Sequence, residues 1–203
     1  LSPYNYCAGN PVNLVDPEGR KIVIGGNVAF KNKVYAAINH MSAHGVGWVI
    51  DHLSDSKETY TIVPNGISSY SLKTRTVSWN PDYMKLDESG KVMHSPTVSL
   101  AHELGHAENH DLNENKYKDD SNKEEAHYVT VEEKNVIEGI EQDTARALGE
   151  ISSDEVTRTS HGGQFGPNVA TLSPKSQSDK AFMFNHPLIR IPDTTFPLPV
   201  SMN

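Results

Sequence analysis

Two histidines, His102 and His106, with Glu103 between them, constrain this chain more than any other feature of its sequence. On an α-helix each residue turns by about 100°, so residues four apart lie about 40° apart on one face. Both imidazoles can therefore direct a ring nitrogen at one ion, at the roughly 2.0–2.1 Å of a zinc–imidazole bond. Glu103 lies one step around the helix from His102, so its carboxylate can reach a water held by the ion without binding the ion itself.

This H-E-x-x-H spacing is typical of a zinc peptidase, in which the histidines bind Zn2+ and the glutamate is the general base. The local sequence predicts the helix that the spacing requires. Ser95 followed by Pro96 favours an N-cap and first turn. An apolar flank recurs at three-residue steps, at Val98, Ala101, Leu104 and Ala107. Gly105 lowers helix propensity by about 1 kcal/mol relative to Ala, so its place in mid-helix predicts close packing or the close approach of a ligand.

Two histidines do not complete a catalytic zinc site, which holds three protein ligands and a water. His110 lies four residues after His106, but ligands at i, i+4 and i+8 on one straight helix span about 12 Å of rise, too far for one ion. The longer motif H-E-x-x-H-x-x-G-x-x-H is also excluded, because Asn109 and Leu112 stand at its Gly and last His positions. The third ligand is therefore expected from another element.

A second helix, predicted over 129–150 by apolar residues at three- and four-residue steps, supplies the candidates. Glu133 and Glu141 border its apolar stripe, whereas Glu132 and Glu138 are predicted to face solvent. We favour Glu133 as the zinc ligand and Glu141 as the hydrogen-bond partner of a ligating histidine, but the two glutamates could exchange these roles. The alternative for both is a salt-bridged helix face without a metal.

The rest of the chain alternates helical and strand-like runs, which predicts an α+β fold with one small twisted sheet. Strands are predicted at 21–24, 57–63 and 70–80, a helix at 28–43 and a further short apolar element at 45–55. The polar segments 82–94 and 111–127 are predicted to be loops. We expect residues 75–79 to form an edge strand beside the metal helix, where an extended substrate can pair, and the alternative is an ordinary core strand.

Composition excludes several classes of partner. The formal net charge of −8 argues against nucleic acid and anionic membranes. No apolar run approaches the roughly 18 residues of a membrane span, and no N-terminal segment has the layout of a signal peptide.

Cys7 is the only cysteine, which allows no internal disulfide. Because the sequence begins with Leu1, we expect it to be part of a longer polypeptide.

The first 20 residues are rich in turn-forming pairs, and their motifs resemble the closing segment of the Rhs repeat-associated core. These motifs are Tyr4-Asn5-Tyr6, Asn10-Pro11-Val12-Asn13 and Val15-Asp16-Pro17-Glu18-Gly19. In such proteins a shell of YD repeats encloses a variable C-terminal toxin, and Asp-Pro-x-Gly marks the junction. The resemblance implies that residues 1–20 are this junction and that a toxin module follows.

The region 22–161 resembles the effector-type zincin metallopeptidases, which include type III secreted effectors that cleave proteins inside a recipient cell. The likeness rests on Trp79-Asn80-Pro81, Ser95-Pro96, the stretch LAHELGHA, the Glu-rich helix and Arg158-Thr159-Ser160-His161. It implies Zn2+ as cofactor, a protein substrate and, unless the targets are only eukaryotic, a cognate immunity protein. It also implies that Arg158 and His161 stabilise the tetrahedral oxyanion. The alternative is a surface arginine and a loop histidine.

We therefore expect an Rhs junction at 1–20, a zincin-like metallopeptidase domain of α+β class at 21–161 and an extended tail rich in Gly, Ser, Thr and Pro at 162–203. The expected function is that of a secreted, zinc-dependent endopeptidase toxin, with His102, His106 and Glu133 as ligands and Glu103 as general base. One alternative is a zinc-binding module of a surface protein without activity, against which the intact Glu103 argues. Another is a regulatory H-E-L-G-H peptidase, against which the Rhs junction argues.

Overall fold

A computed structural model describes residues 21–86, 92–162 and 164–167. Over these residues the fold is mixed α+β, with three small sheets, six α-helices and one π-helical turn. The Rhs junction predicted at 1–20, and the part of the tail predicted at 162–203 that follows residue 167, lie outside the described residues. None of the helices described combines the length and hydrophobicity that crossing a membrane requires.

The main sheet has four strands in the order β1-β2-β4-β3. Strands β1 (Lys21–Ile24), β2 (Thr59–Pro64) and β4 (Thr76–Trp79) are parallel, and β3 (Ser69–Ser71) pairs antiparallel with β4. Because β4 lies between β2 and β3, the prediction that residues 75–79 form an edge strand was wrong. Residues 70–80, which were predicted to form one strand, instead form most of a hairpin of β3 and β4. Its first strand, β3, lies at the edge of the main sheet.

Helices α1 (Val28–Ala43) and α2 (Trp48–Asp55) precede β2 and occupy the two elements predicted there. The Asn27 side chain caps α1 by accepting a hydrogen bond from the Phe30 backbone N–H at 2.9 Å. Apolar side chains of both helices form one core with those of the sheet and of the next helix. The largest fully buried side chains of this core include Trp79, Tyr60, Met41 and Leu53.

Helix α3 (Pro96–Leu112) carries the H-E-x-x-H motif and begins where the sequence predicts. The Ser95 hydroxyl accepts a hydrogen bond from the Val98 backbone N–H at 3.3 Å, which confirms the predicted cap. The indole N–H of Trp79 donates to the Pro96 carbonyl at 2.8 Å. This bond joins the end of β4 to the start of α3, so the sheet determines where the motif lies.

Gly105 packs against the second glutamate-bearing segment, as its place in mid-helix predicts. A Cβ atom added at Gly105 would lie 2.4 Å from Cγ2 of Ile140 and 3.2 Å from Cγ1 of Val136. The glycine therefore allows the two segments to approach closely at the level of the motif.

We expect Gly105→Ala to lower the free energy of unfolding by roughly 1–3 kcal/mol, since a packed side chain and its backbone must shift. This range is the net change, after the gain of about 1 kcal/mol in helix propensity. Urea unfolding followed by circular dichroism measures the effect. Gly66→Ala is the control, because a Cβ there meets no atom within 4 Å. Equal unfolding midpoints for Gly105→Ala and wild type would contradict the close packing.

The prediction of a loop at 111–127 was wrong. This segment forms helix α4 (Glu114–Asn122) and strand β7 (Glu124–Glu125), which pairs with β8 (Val129–Thr130). Helix α4 has no buried residue, so its sequence shows no apolar period. Ion pairs at four-residue spacing support it instead, between Glu114 and Lys118 and between Lys116 and Asp120.

The prediction of a loop at 82–94 was also wrong. Strands β5 (Tyr83–Leu86) and β6 (Val92–His94) pair antiparallel there, and β9 (Gln164–Pro167) pairs with the other side of β5. Strands of three or four residues are too short for a period-two pattern to stand out in the sequence.

The second predicted helix, at 129–150, is interrupted in its middle. Helices α5 (Val131–Val136) and α6 (Gln142–Ala147) are joined by a π-helical turn at Ile137–Glu141. Within this turn Gly139 leaves helical geometry, with φ −95° and ψ −112°. A π turn inserts one residue into a helix, so the residues after it are rotated by about 100° relative to a continuous α-helix.

This rotation changes which glutamates share a face. In a continuous helix Glu132 and Glu141 would point about 180° apart, and Glu133 and Glu141 about 80° apart. With one inserted residue these angles fall to about 80° and about 20°. The π turn thus allows all three glutamates to point towards α3.

Candidate metal centre

Three donor groups converge beside the middle of α3. His102 Nε2 lies 3.2 Å from His106 Nε2. Glu133 lies 3.4 Å from both nitrogens, with Oε2 facing His102 and Oε1 facing His106. Donor atoms held 2.0–2.1 Å from one tetrahedral zinc lie about 3.3 Å from one another. The spacings therefore fit one such ion. The structure brings the two predicted histidines together with the favoured Glu133, whose role as a ligand stays a prediction.

The opposite ring nitrogens of both histidines contact buried carboxylates. His102 Nδ1 lies 2.9 Å from Glu141 Oε2, and His106 Nδ1 lies 3.1 Å from Glu132 Oε1. Because a carboxylate accepts hydrogen bonds, each Nδ1 carries a proton, so a neutral ring would present its Nε2 lone pair to an ion. Burial lowers the pKa of both histidines, but the carboxylates beside them outweigh burial and raise it, to about 10 for His106, so the pocket favours positive charge between these carboxylates. The donor chemistry therefore fits a divalent cation.

The Glu133 carboxylate is also arranged as a ligand would be. Its Oε2 atom is buried and forms no hydrogen bond of normal geometry within the described part of the chain, although Nε2 atoms of His102 and His161 lie 3.4 and 3.5 Å away. Burial raises the pKa of Glu133, but His102, His106 and His161 outweigh burial and hold the pKa well below its usual range. The carboxylate is therefore charged at neutral pH.

Glu103 occupies a different position in the site. Its side chain is buried, and a carboxylate oxygen lies within 4.8 Å of ring nitrogens of both His102 and His106. Burial raises the pKa of Glu103 above its ordinary value, although the two histidines partly offset this rise. Glu103 therefore lies beside the candidate ion site, and its role as the general base stays a prediction.

Behind His102, the Glu141 carboxylate is part of a buried ion pair. Arg158 Nη2 donates to Glu141 Oε2 at 2.6 Å, Arg158 Nε donates to Oε1 at 3.0 Å, and the Thr157 hydroxyl donates to Oε1 at 2.6 Å. Burial raises the pKa of Glu141, but His94, His102 and Arg158 together hold it well below its usual value. These bonds orient the carboxylate that accepts the His102 Nδ1 proton.

The sequence from residue 18 to residue 149 matches the model of peptidase family M91, whose members are described as effector proteins. The chain belongs to peptidase family M91. The matched region contains α3, the π turn and the four site glutamates, and it ends before Arg158. No curated protein and no solved structure matches the chain significantly. Family membership confirms the effector-peptidase part of the resemblance.

In this M91 peptidase, Arg158 does not lie on the surface, so the surface-arginine half of that alternative was wrong, whereas His161 does lie in a loop. Arg158 is 6% exposed, and its Nη1 donates to the His161 carbonyl at 3.2 Å in addition to the bonds with Glu141. Its Nη2 atom also lies 3.4 Å from His102 Nδ1, behind the imidazole ring. His161 has a 47% exposed side chain 3.5 Å from Glu133 Oε2, which leaves it accessible beside the candidate ion site. An oxyanion role for either residue stays a prediction.

The prediction that Glu132 faces solvent was wrong. Its side chain is buried, and Oε1 accepts hydrogen bonds from His106 Nδ1 and from Asn109 Nδ2 at 3.0 Å. The sequence places Glu132 in the first turn of a helix but does not show in which direction its side chain points. Thr130 is followed three residues later by Glu133, which is a capping-box pattern, and the Thr130 hydroxyl does accept from the Glu133 backbone N–H at 3.2 Å. This cap places both neighbouring glutamates in the first turn of α5.

Proposed function

We propose that this M91 peptidase is a zinc-dependent endopeptidase with a zincin-like fold. The observation that carries the proposal is the convergence of His102, His106 and Glu133 at the donor spacing of one tetrahedral zinc, with Glu103 beside them. Two imidazole nitrogens and one carboxylate suit zinc, whereas Mg²⁺ and Ca²⁺ prefer oxygen ligands throughout.

Each site residue has a separate role in the proposed hydrolysis of a peptide bond. When bound, zinc would polarise the scissile carbonyl and lower the pKa of the attacking water. Glu103 takes the proton from that water and passes it to the leaving amine. His161, exposed beside Glu133, donates to the oxyanion. Arg158 acts behind the site, because it holds Glu141 and thereby His102.

An extended substrate fits the edge of the main sheet next to α3. Strand β3 pairs with β4 on one side, and within the described residues its other side carries no strand. The Tyr70 hydroxyl on β3 lies 2.5 Å from His110 Nδ1, so this edge is held against the metal helix one turn beyond His106. We therefore place the substrate backbone along β3 by strand addition, the role that the sequence had suggested for 75–79.

The biological setting is proposed from the sequence motifs. The Rhs-like motifs at 1–20 support release of the effector from an Rhs-type shell, and the description of the family as effector proteins supports a protein target in a recipient cell. A cognate immunity protein that blocks the cleft would protect a bacterial producer of such an enzyme.

Cleavage in recipient cells tests the proposal. Residues 1–203 are expressed from a tightly controlled promoter as wild type and as Glu103→Gln, and newly formed protein N-termini are sequenced. We expect growth arrest and new N-termini with wild type only, and about one zinc per chain in both purified proteins. The same N-termini with both proteins would contradict endopeptidase activity. Absence of zinc from both would contradict the metal site.

A further inference from the structure

Each candidate histidine ligand is held by a further carboxylate, and the sequence suggested such a role for only one of the two. Glu141 accepts from His102 Nδ1, and Glu132 accepts from His106 Nδ1. We propose that Glu132 is a positioning residue of the metal centre. Its carboxylate, oriented by Asn109, keeps His106 in the tautomer and ring orientation that present Nε2 to the ion. This inference rests on the proposed zinc site.

The first turn of α5 holds the His106 imidazole between two neighbouring carboxylates. Glu132 Oε1 lies 3.1 Å from Nδ1, and Glu133 Oε1 lies 3.4 Å from Nε2 of the same ring. Consecutive helical residues point about 100° apart, so the two side chains can approach one ring from different directions. Because the Thr130 cap positions this turn, a single local structure places both carboxylates.

Asn109 determines which way the Glu132 carboxylate faces. It lies three residues after His106 on α3, and its Nδ2 donates to the same Oε1 atom that accepts from the ring. A buried carboxylate requires such donors, and Glu132 is only 3% exposed. Around Glu141 the corresponding donor is Arg158, whose positive charge neutralises the negative charge of the carboxylate. Asn109 is neutral, so it leaves the negative charge of Glu132 in place. That charge can then stabilise the His106 ring and the proposed cation bound to it.

Zinc affinity tests this role without reference to catalysis. Metal-free protein of residues 1–203 is titrated with Zn2+ in competition with a chromophoric chelator, as wild type, Glu132→Ala, Glu132→Gln and Glu138→Ala. We expect Glu132→Ala to bind zinc about 10–100-fold more weakly. Glu132→Gln keeps an acceptor oxygen and should fall between this variant and wild type. Glu138 is exposed, as predicted, and accepts from the Tyr128 hydroxyl at 3.2 Å, so Glu138→Ala should bind like wild type.

The outcomes separate this inference from the proposal beneath it. If wild type binds no zinc, the metal site itself fails and the role of Glu132 fails with it. If wild type binds zinc and folded Glu132→Ala binds it equally tightly, only the role of Glu132 is overturned, even if that variant melts at a lower temperature. If Glu132→Ala does not fold, ¹H–¹⁵N NMR of the His106 ring in zinc-loaded wild type decides. The proposal requires a proton on Nδ1, and a proton on Nε2 would overturn it.

Discussion

Replacing Glu103 with Gln is expected to lower kcat by about 10²–10⁴-fold, the usual contribution of a general base. The amide has nearly the size of the carboxylate and fills the same buried position, but it cannot accept a proton from water. His102, His106 and Glu133 are untouched, so the zinc content should remain unchanged. Initial rates on a peptide that spans the mapped cleavage site, together with metal analysis of the same samples, measure both quantities.

A second buried glutamate on the same helix provides the matched control. Glu108 is also buried, but its carboxylate lies 3.7 Å from His52 Nδ1, on the side of α3 away from His102 and His106. Glu108→Gln should therefore keep kcat within a few-fold of wild type. A Glu103→Gln enzyme with activity near that of wild type would exclude Glu103 as the base. Loss of zinc from Glu103→Gln would identify Glu103 as a ligand instead.

The parts of the fold that sequence could predict are those in which local signals agree with tertiary packing. Helix α1 has its cap and its apolar face in the sequence, and α3 begins at the Ser95 cap that was predicted for it. The spacing of the two histidines predicts their relative position directly, because side chains four residues apart on a helix lie on the same face. For these elements no long-range information was needed.

The errors lie where long-range packing decides the geometry. The π turn at Ile137–Glu141 rotates the second half of its helix, and a simple 100° periodicity assigned Glu132 to solvent because it assumed a continuous helix. Strand β5 is stabilised by pairing with β6 and β9, and β9 comes from a distant part of the chain. The sequence of β5 alone therefore does not predict a strand. Arg158 is likewise buried through contacts with a residue 17 positions away.

The ion pair behind His102 is expected to contribute strongly to stability. Arg158→Met should lower the free energy of unfolding by roughly 3–5 kcal/mol, because it leaves Glu141 charged, buried and without its guanidinium partner. Urea unfolding in the presence of a chelator measures this loss apart from any effect of metal. Arg146→Met is the control, since Arg146 is 32% exposed, and its ion pair with Asp143 and its hydrogen bonds to Gln142 Oε1 and the Glu155 carbonyl should together contribute no more than about 1–2 kcal/mol.

A double variant shows whether the loss comes from the unpaired charge or from lost packing. Glu141→Leu with Arg158→Met replaces both charges by apolar side chains of similar size, so it should be less destabilised than Arg158→Met alone. Glu141→Leu alone completes the cycle. If its effect and that of Arg158→Met add up to the effect of the double variant, the residues are not energetically coupled and Arg158 stabilises the fold by packing. If the double variant is stable but binds zinc more weakly than wild type, the pair serves the metal centre, because the fold tolerates its removal while His102 loses the carboxylate that orients it.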